Sequence, residues 1–377
     1  MEFSNIHWVA LVLFVLALLV QSFYYLFFYR KLIKQIITPE IKPEICIPVS
    51  IIVAARNEAQ RLECLLPVLL HQDYDDYEVV IVDDRSTDGT SILIKELSEK
   101  YKFLKYIRIE EGETNNPGKK YALTKGIEYA ANDCLLFTDA DCIPVSDMWV
   151  SRMLSQFKTQ NTIILGYGGY FNENTFVNDM LRYDTSFIAM QYGSFALSGL
   201  PYMGVGRNLM YSKQLWKRGN AYSKHIDFAS GDDDLFVQSH LQDAEFRVQF
   251  HAEAITRSLP PDSFKKWRNQ KIRHYSVANQ YPLKIKMLLV LEPLSRVLLL
   301  ISFILAVILF TGKVLLSIVI AFLVFYTLKF LIFGSFLKRM SEYGLYKNLL
   351  LFDFILPCVQ TYFYLCSLFS SRNIIWK

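Results

Sequence analysis

The spacing of long apolar runs constrains this chain more than any other feature. Ile6–Phe28 is apolar and aromatic, uncharged apart from His7, and at about 1.5 Å of rise per residue it is long enough to cross a bilayer core. Residues 38–286 hold no comparable run. Three then follow, Leu294–Phe310, Val314–Leu337 and Leu349–Phe369, separated by Thr311-Gly312-Lys313 and by the basic stretch from Lys338 to Lys347. The first run lacks a small-residue cleavage site and outlasts a signal-peptide core, so it reads as a retained anchor. Its basic flank, Arg30, Lys31 and Lys34, belongs on the cytoplasmic side. Putting Lys284, Lys286, Lys338, Arg339 and Lys347 on that same side leaves only Lys313 in the opposite short loop. The expectation is an anchor over residues 1–37, a cytoplasmic domain over 38–262, a basic interfacial segment over 263–286 and a membrane region over 287–377, with both termini outside.

Composition narrows the class of partner. The 377 residues are 52% hydrophobic and 20% charged, which excludes a disordered or collagenous chain. A net charge of +4 is too weak to argue for nucleic acid. The six cysteines (Cys46, Cys64, Cys134, Cys142, Cys358 and Cys366) form no CxxC pair and read as buried, reduced thiols rather than zinc ligands. Ser263 to Lys286 mixes Lys and Arg with Phe264, Trp267, Ile272, Tyr275, Val277 and Tyr281, as in an amphipathic helix lying in the interface.

Between Ile47 and Gln160 short β-rich runs alternate with helix-like stretches. Ser50–Ala54, Glu78–Val82, Leu104–Ile109 and Leu135–Thr138 suit buried parallel strands. Glu58–Leu70, Thr90–Lys100 and Lys119–Ala130 carry helical spacing. The fold class that follows is α/β with a mostly parallel sheet. Such sheets bind ligands at the carboxyl ends of their strands, where Asp83-Asp84 and Asp139-Ala140-Asp141 stand. Two carboxylates at i and i+2 after a strand offer oxygen ligands to Mg²⁺ or Mn²⁺, or else merely cap a polar strand end. Lys119-Lys120 after Pro117-Gly118 begin a helix where a phosphate contact is possible.

A second acidic cluster, Ser230-Gly231-Asp232-Asp233-Asp234, precedes a helix-like Leu235-Phe236-Val237. It is either an acidic N-cap run or a general base whose like-charged neighbours raise its pKa. Gln270 and Arg273 lie one helical turn apart, and Arg273 could neutralise a departing diphosphate. His225 and His251 flank the acidic cluster in sequence as minor candidates for metal or substrate contact.

Five motifs in order, VSIIVAARNEA at 49–59, VDDRSTDGT at 82–90, FTDADC at 137–142, GDDD at 231–234 and QKIRH at 270–274, with GVGRNLMY at 204–211, resemble the membrane-integrated members of glycosyltransferase family 2. That family includes cellulose, chitin and hyaluronan synthases and many lipid glycosyltransferases. The resemblance implies a GT-A nucleotide-sugar-binding fold and inverting transfer from a nucleotide-diphosphate sugar, UDP-linked by family default. It implies Ala54, Arg56 and Glu58 at the nucleotide, with Asp83 and Asp84 at the base and ribose, and Lys119 at the nucleotide or its phosphates. It implies Asp139 and Asp141 as the DxD on Mg²⁺ or Mn²⁺, Asp232 and Asp233 as the ED pair with Asp233 the base, and Gln270 and Arg273 as QxxRW. The sequence departs from the family at Asp232, where Glu is usual, and at His274, where Trp is usual; the second departure bears on chain extension.

The expected acceptor is therefore a membrane lipid or lipid-linked sugar, reached from the bacterial inner membrane by a catalytic domain in the cytoplasm. A processive polysaccharide synthase is the competing enzyme, and a catalytically silent scaffold of the same fold is the non-enzymatic one. Glu292, Arg296, Lys329 and Asp353 lie in or near the spans, either lining a polar path or paired with one another.

Overall fold

The computed structural model describes residues 5–37, 47–114, 118–219, 231–278 and 280–369. Cys46, Pro117, His225 and Ser230 lie outside the described residues. Helix α1 (Asn5–Phe23) passes through a π-helical stretch, Tyr24–Tyr29, into α2 (Arg30–Ile37). The α/β domain then alternates β1 (Val49–Ala55), α3 (Ala59–Leu69), β2 (Tyr77–Asp84), α4 (Thr90–Lys100), β3 (Leu104–Ile109), α5 (Lys119–Tyr129) and β4 (Cys134–Phe137). Every residue of β1 and β4 is buried, because helices cover both faces of a parallel sheet. The domain continues with β5 (Cys142–Pro144), α6 (Trp149–Leu154), β6 (Thr162–Gly166), β7 (Gly168–Tyr170), the long α7 (Phe176–Ala196), β8 (Leu209–Ser212), α8 (Lys213–Gly219), α9 (Asp234–Ser239), β9 (Glu245–Gln249) and β10 (Thr256–Ser258). Four more helices follow: α10 (Phe264–Ala278), α11 (Leu283–Leu309), α12 (Gly312–Arg339) and α13 (Leu349–Phe369).

The main sheet runs β3-β2-β1-β4-β8-β6-β9. Its β3-β2-β1-β4 half is parallel, as the strand-helix alternation requires, and β8 pairs antiparallel with both β4 and β6. A small sheet, β5-β10-β7, sits beside it. Four helices are long and apolar enough to cross a membrane, one N-terminal and three C-terminal.

Three sequence expectations are corrected. The segment 263–286 is not one interfacial helix: α10 stops at Ala278, and Leu283 already begins α11, with Pro282 at its N-cap. The first C-terminal span therefore starts well before Leu294. On α10 Trp267 is buried, packing on Phe363 of α13 at 5.1 Å between ring centroids, while Phe264 meets the same ring at 5.4 Å and stays exposed. Among the cysteines, Cys64 and Cys358 are exposed rather than buried.

Asn208 joins the two sheets from inside. Its Oδ1 accepts from Trp149 Nε1 at 3.1 Å, and its Nδ2 donates to the carbonyls of Tyr167 (2.8 Å) and Ala254 (2.7 Å). Removing the amide would strand a buried indole N–H and weaken two buried carbonyls. Asn208→Ala should cost about 3 kcal/mol of stability, measured by unfolding the full chain in detergent. A loss below about 1 kcal/mol would mean that water replaces the amide at little cost.

Candidate active site

The carboxyl ends of the parallel strands open into a cavity of about 480 Å³. Two interlocked turns form its rim. Asn57, at φ 55°, accepts from Thr87 N at 2.8 Å, while Asn57 N and Glu58 N donate to Ser86 Oγ and Thr90 Oγ1, each at 2.9 Å. This lacing fixes the β1–α3 turn that carries Arg56 and Glu58. Ten of the residues singled out from sequence line the cavity: Ala54, Arg56, Glu58, Lys119, Asp139, Asp141, Asp232, Asp233, Gln270 and Arg273.

Asp83 and Asp84 do not. Strand β2 extends through both, which turns them into the β2–α4 corner. Asp83 accepts from Ser86 N at 3.0 Å and from the Ser91 hydroxyl, and Asp84 takes the Arg85 guanidinium at 2.7 Å, with Arg85 at φ 57°. Nor does His251 line the cavity; its Nδ1 accepts from Glu253 N at the start of a short turn.

At the centre Lys119 Nζ bridges Asp139 Oδ1 (2.7 Å) and Asp232 Oδ2 (2.8 Å). Gly118, at φ 148°, gives the backbone the entry into α5 that aims this lysine, a conformation that L side chains rarely adopt. Burial alone would lift Asp232, but the adjacent ammonium holds its carboxyl below the usual range. Among the described residues Asp233 has no ion pair of its own, and Lys119 offsets its burial only in part. Burial, and then the Asp232 charge, push it up to about 6, although Gly206 N (2.7 Å) and Asp234 N (2.8 Å) both donate to it. It thus caps α9 and keeps a titratable carboxyl in the cavity at once, so both readings of the acidic run have structural content. Burial also raises Asp234 well above the ordinary carboxyl value, and its Oδ2 accepts from Tyr281 at 2.8 Å.

Asp139, Asp141 and Cys142 offer ligand atoms within 4.8 Å of one another. Burial, with the neighbouring carboxylates, keeps the Cys142 thiol protonated. The donors that remain are hard oxygens, which fit Mg²⁺ or Mn²⁺ and not a thiolate metal.

The same cavity is also lined by Ile188 and Ala189 of α7, Tyr275 and Ala278 of α10, and by Leu289 of α11 and Gln360 of α13, which lie on two of the long apolar helices. Tyr170 OH donates to Gln270 Oε1 at 3.2 Å, and Lys271, next along α10, pairs with Asp184 of α7, which also accepts from Gln360 Nε2 at 2.6 Å. Tyr170, Gly206, Arg207 and Lys271 line the cavity as well; the sequence marks the segments Gly166–Tyr170 and Tyr202–Asn208 as shaping the sugar pocket but gives no role to these single residues.

The profile of Glycosyl transferase family 2 matches residues 50–219, and that of Glycosyl transferase family group 2 matches residues 135–365. The chain belongs to glycosyltransferase family 2. It is 23% identical over 274 residues to the poly-beta-1,6-N-acetyl-D-glucosamine synthase of Staphylococcus epidermidis, covering 72% of this chain and 62% of that one. It is 26% identical over 245 residues to a Methanococcus voltae enzyme named dolichyl N-acetyl-alpha-D-glucosaminyl phosphate 3-beta-D-2,3-diacetamido-2,3-dideoxy-beta-D-glucuronosyltransferase, covering 60% of this chain and 71% of that one. In fold it is similar to a mannosyltransferase from Pyrobaculum calidifontis solved with GDP-Man and Mn²⁺, with TM-score 0.57, 17% identity and coverage of 96% and 99%. The family 2 chain thus has a GT-A fold carried on four long apolar helices.

Mn²⁺ binding to the purified family 2 chain, followed by titration, should weaken on the order of tenfold or more in Asp141→Asn, because a hard-cation site is tuned by its count of charged oxygens. Cys142→Ser should bind as the parent does. Equal loss in both variants would place the thiol among the ligands.

Proposed function

We propose that this protein is an inverting, metal-dependent glycosyltransferase that moves a sugar from a nucleoside-diphosphate donor to a lipid or lipid-linked acceptor in the membrane. The observation that carries this is the continuity of one cavity from Asp139, Asp141 and Asp233 to Leu289 and Gln360 on membrane-region helices. A soluble acceptor would need no such exit. The Methanococcus voltae relative, whose name specifies a dolichyl-phosphate-linked sugar, supports this acceptor class, and the mannosyltransferase complex with GDP-Man and Mn²⁺ supports a donor of this kind.

In this reading Asp139 and Asp141 hold the divalent ion, which supplies positive charge against the donor diphosphate. Arg273 and Lys119 add fixed charge from the protein, with Lys119 exchanging its carboxylate partners for phosphate oxygens. Gln270, held by Tyr170, orients the donor. Asp233 takes the proton of the acceptor hydroxyl as that oxygen attacks the anomeric carbon from the face opposite the departing diphosphate. The protein would sit in the bacterial inner membrane with the carboxylate end of the cavity toward the cytoplasm, the side marked by Arg30, Lys31, Lys338 and Arg339.

A processive polysaccharide synthase is the second reading, favoured by the Staphylococcus epidermidis relative. Against it stand His274 at the cavity and the mutual pairing of Glu292, Arg296, Lys329 and Asp353, which makes these charges a sealed cluster rather than a polar path. Membranes containing the protein, given labelled UDP-sugars or GDP-mannose with Mn²⁺, should put label into the organic extract. Label confined to a high-mass aqueous fraction would select the synthase instead.

The Asp233 carboxyl must be ionised to act, so transfer should rise with pH and level off above about 6, falling tenfold per unit below it. Asp233→Asn should lose roughly 10²–10⁴-fold of the rate together with this acid limb. Retention of the limb in that variant would assign it to another group.

A further inference from the structure

Arg207 belongs to none of the roles above, yet it lines the cavity. It sits in the turn just before β8. Its guanidinium carbon lies 4.7 Å from the centre of the Tyr170 ring, and its Nη1 is 3.5 Å from Ser258 Oγ. Of the other lining cations, Arg61, Lys119 and Lys271 each have a carboxylate partner. Among the described residues Arg207 forms no ion pair. A guanidinium held in a protein cavity on a ring face and one long hydroxyl contact is poorly compensated for the water it gives up.

The seat of this side chain is built. A Cβ on Gly168 would lie 2.5 Å from Arg207 Nε and 2.7 and 2.8 Å from its Cγ and Cδ, so the stem passes where only glycine leaves room. The turn is pinned on one side by Gly206 N donating to Asp233 and on the other by Asn208 between Tyr167 and Ala254. The guanidinium also abuts the candidate metal pair through a short chain of contacts. Ser258 Oγ meets Cys142 Sγ at 2.9 Å, and Cys142 Sγ donates to Asp141 Oδ1 at 3.2 Å. A planar fork suits two anionic oxygens, as on a phosphate or a carboxylate, in a way that a lysine ammonium does not.

We infer that Arg207 is a donor-binding residue whose fork closes on anionic oxygens of the nucleoside diphosphate. The inference rests on the proposed donor class. The same fork would also fit the carboxylate of a uronosyl donor, so the test separates the two sources.

UDP, GDP, UMP and GMP are titrated with Mn²⁺ against the purified full chain, as wild type, Arg207→Gln, Arg207→Lys and Gly168→Ala. The expected result is a loss of about tenfold or more in diphosphate affinity for Arg207→Gln, with monophosphate affinity within about twofold of wild type as evidence of an intact base pocket. Arg207→Lys should recover only part of the loss, because it keeps charge but not the fork. Gly168→Ala should reproduce the loss with Arg207 still present. Unchanged diphosphate affinity in Arg207→Gln overturns the assignment. If that variant instead erases a wild-type preference for UDP-glucuronate over UDP-glucose, the diphosphate assignment also falls and the anion lies on the sugar. A wild-type chain that binds neither UDP nor GDP would overturn the donor reading itself, apart from any effect of Arg207.

Discussion

Three consecutive residues of α7 tie the α/β domain to the long apolar helices, and the rest of the structure hangs on them. Arg182 pairs with Glu342 in the α12–α13 connection at 2.8 Å, and Glu342 also takes Arg257 of β10 (2.7 Å) and Tyr167 OH (2.8 Å). Tyr183 donates to Asp353 of α13 at 3.0 Å, where Lys329 and Arg296 converge. Asp184 holds Lys271 of α10 and Gln360 of α13. Arg182, Asp184, Lys271, Glu342 and Asp353 are buried, and removing one partner of a buried pair costs about 3–5 kcal/mol because the other charge is stranded. A helix places successive side chains about 100° apart, so one turn of α7 reaches three different neighbours. The sheet and the spans are thereby held in one register, and a cavity can cross from one to the other with fixed walls.

Within that frame Lys119 is the cation at the centre of the acidic cluster. It pairs with Asp139 and Asp232 together, while burial and the Asp232 charge raise the pKa of Asp233. In the proposed reaction phosphate oxygens would draw Lys119 away from its carboxylates, which would link donor binding to the charge felt by Asp233. The N–H groups of Gly206 and Asp234 set the orientation of Asp233, so the proposed base would be preorganised by backbone rather than by long side chains.

Much of this was legible in the sequence, for identifiable reasons. The strands β1 and β2 were readable because burial on both faces of a parallel sheet demands unbroken apolar runs, and the spans because a bilayer demands length. Ten residues that line the cavity were readable because ordered motifs carried them. Asp83 and Asp84 stand instead at the β2–α4 corner, because β2 runs two residues beyond its apolar stretch and a strand end cannot be fixed that closely from pattern alone. The split between α10 and α11 at Pro282 was lost in a uniformly basic and aromatic stretch. Arg207, Tyr170 and Lys271 depend on contacts between segments far apart in the chain, such as Tyr170 with Gln270, which no local spacing encodes. The pairing of Glu292, Arg296, Lys329 and Asp353 was one of two readings, and only the packing of α11, α12 and α13 chose between them.

The central claim is that the acceptor reaches the carboxylates along the membrane-facing end of the cavity. The most direct measurement places a photo-crosslinking residue at Leu289 in the full chain, irradiates it in native membranes, and then adds labelled donor with Mn²⁺. A crosslinked lipid adduct that takes up the label is the predicted result. Crosslinks only to protein, with label incorporated into a product that never passes Leu289, would contradict it.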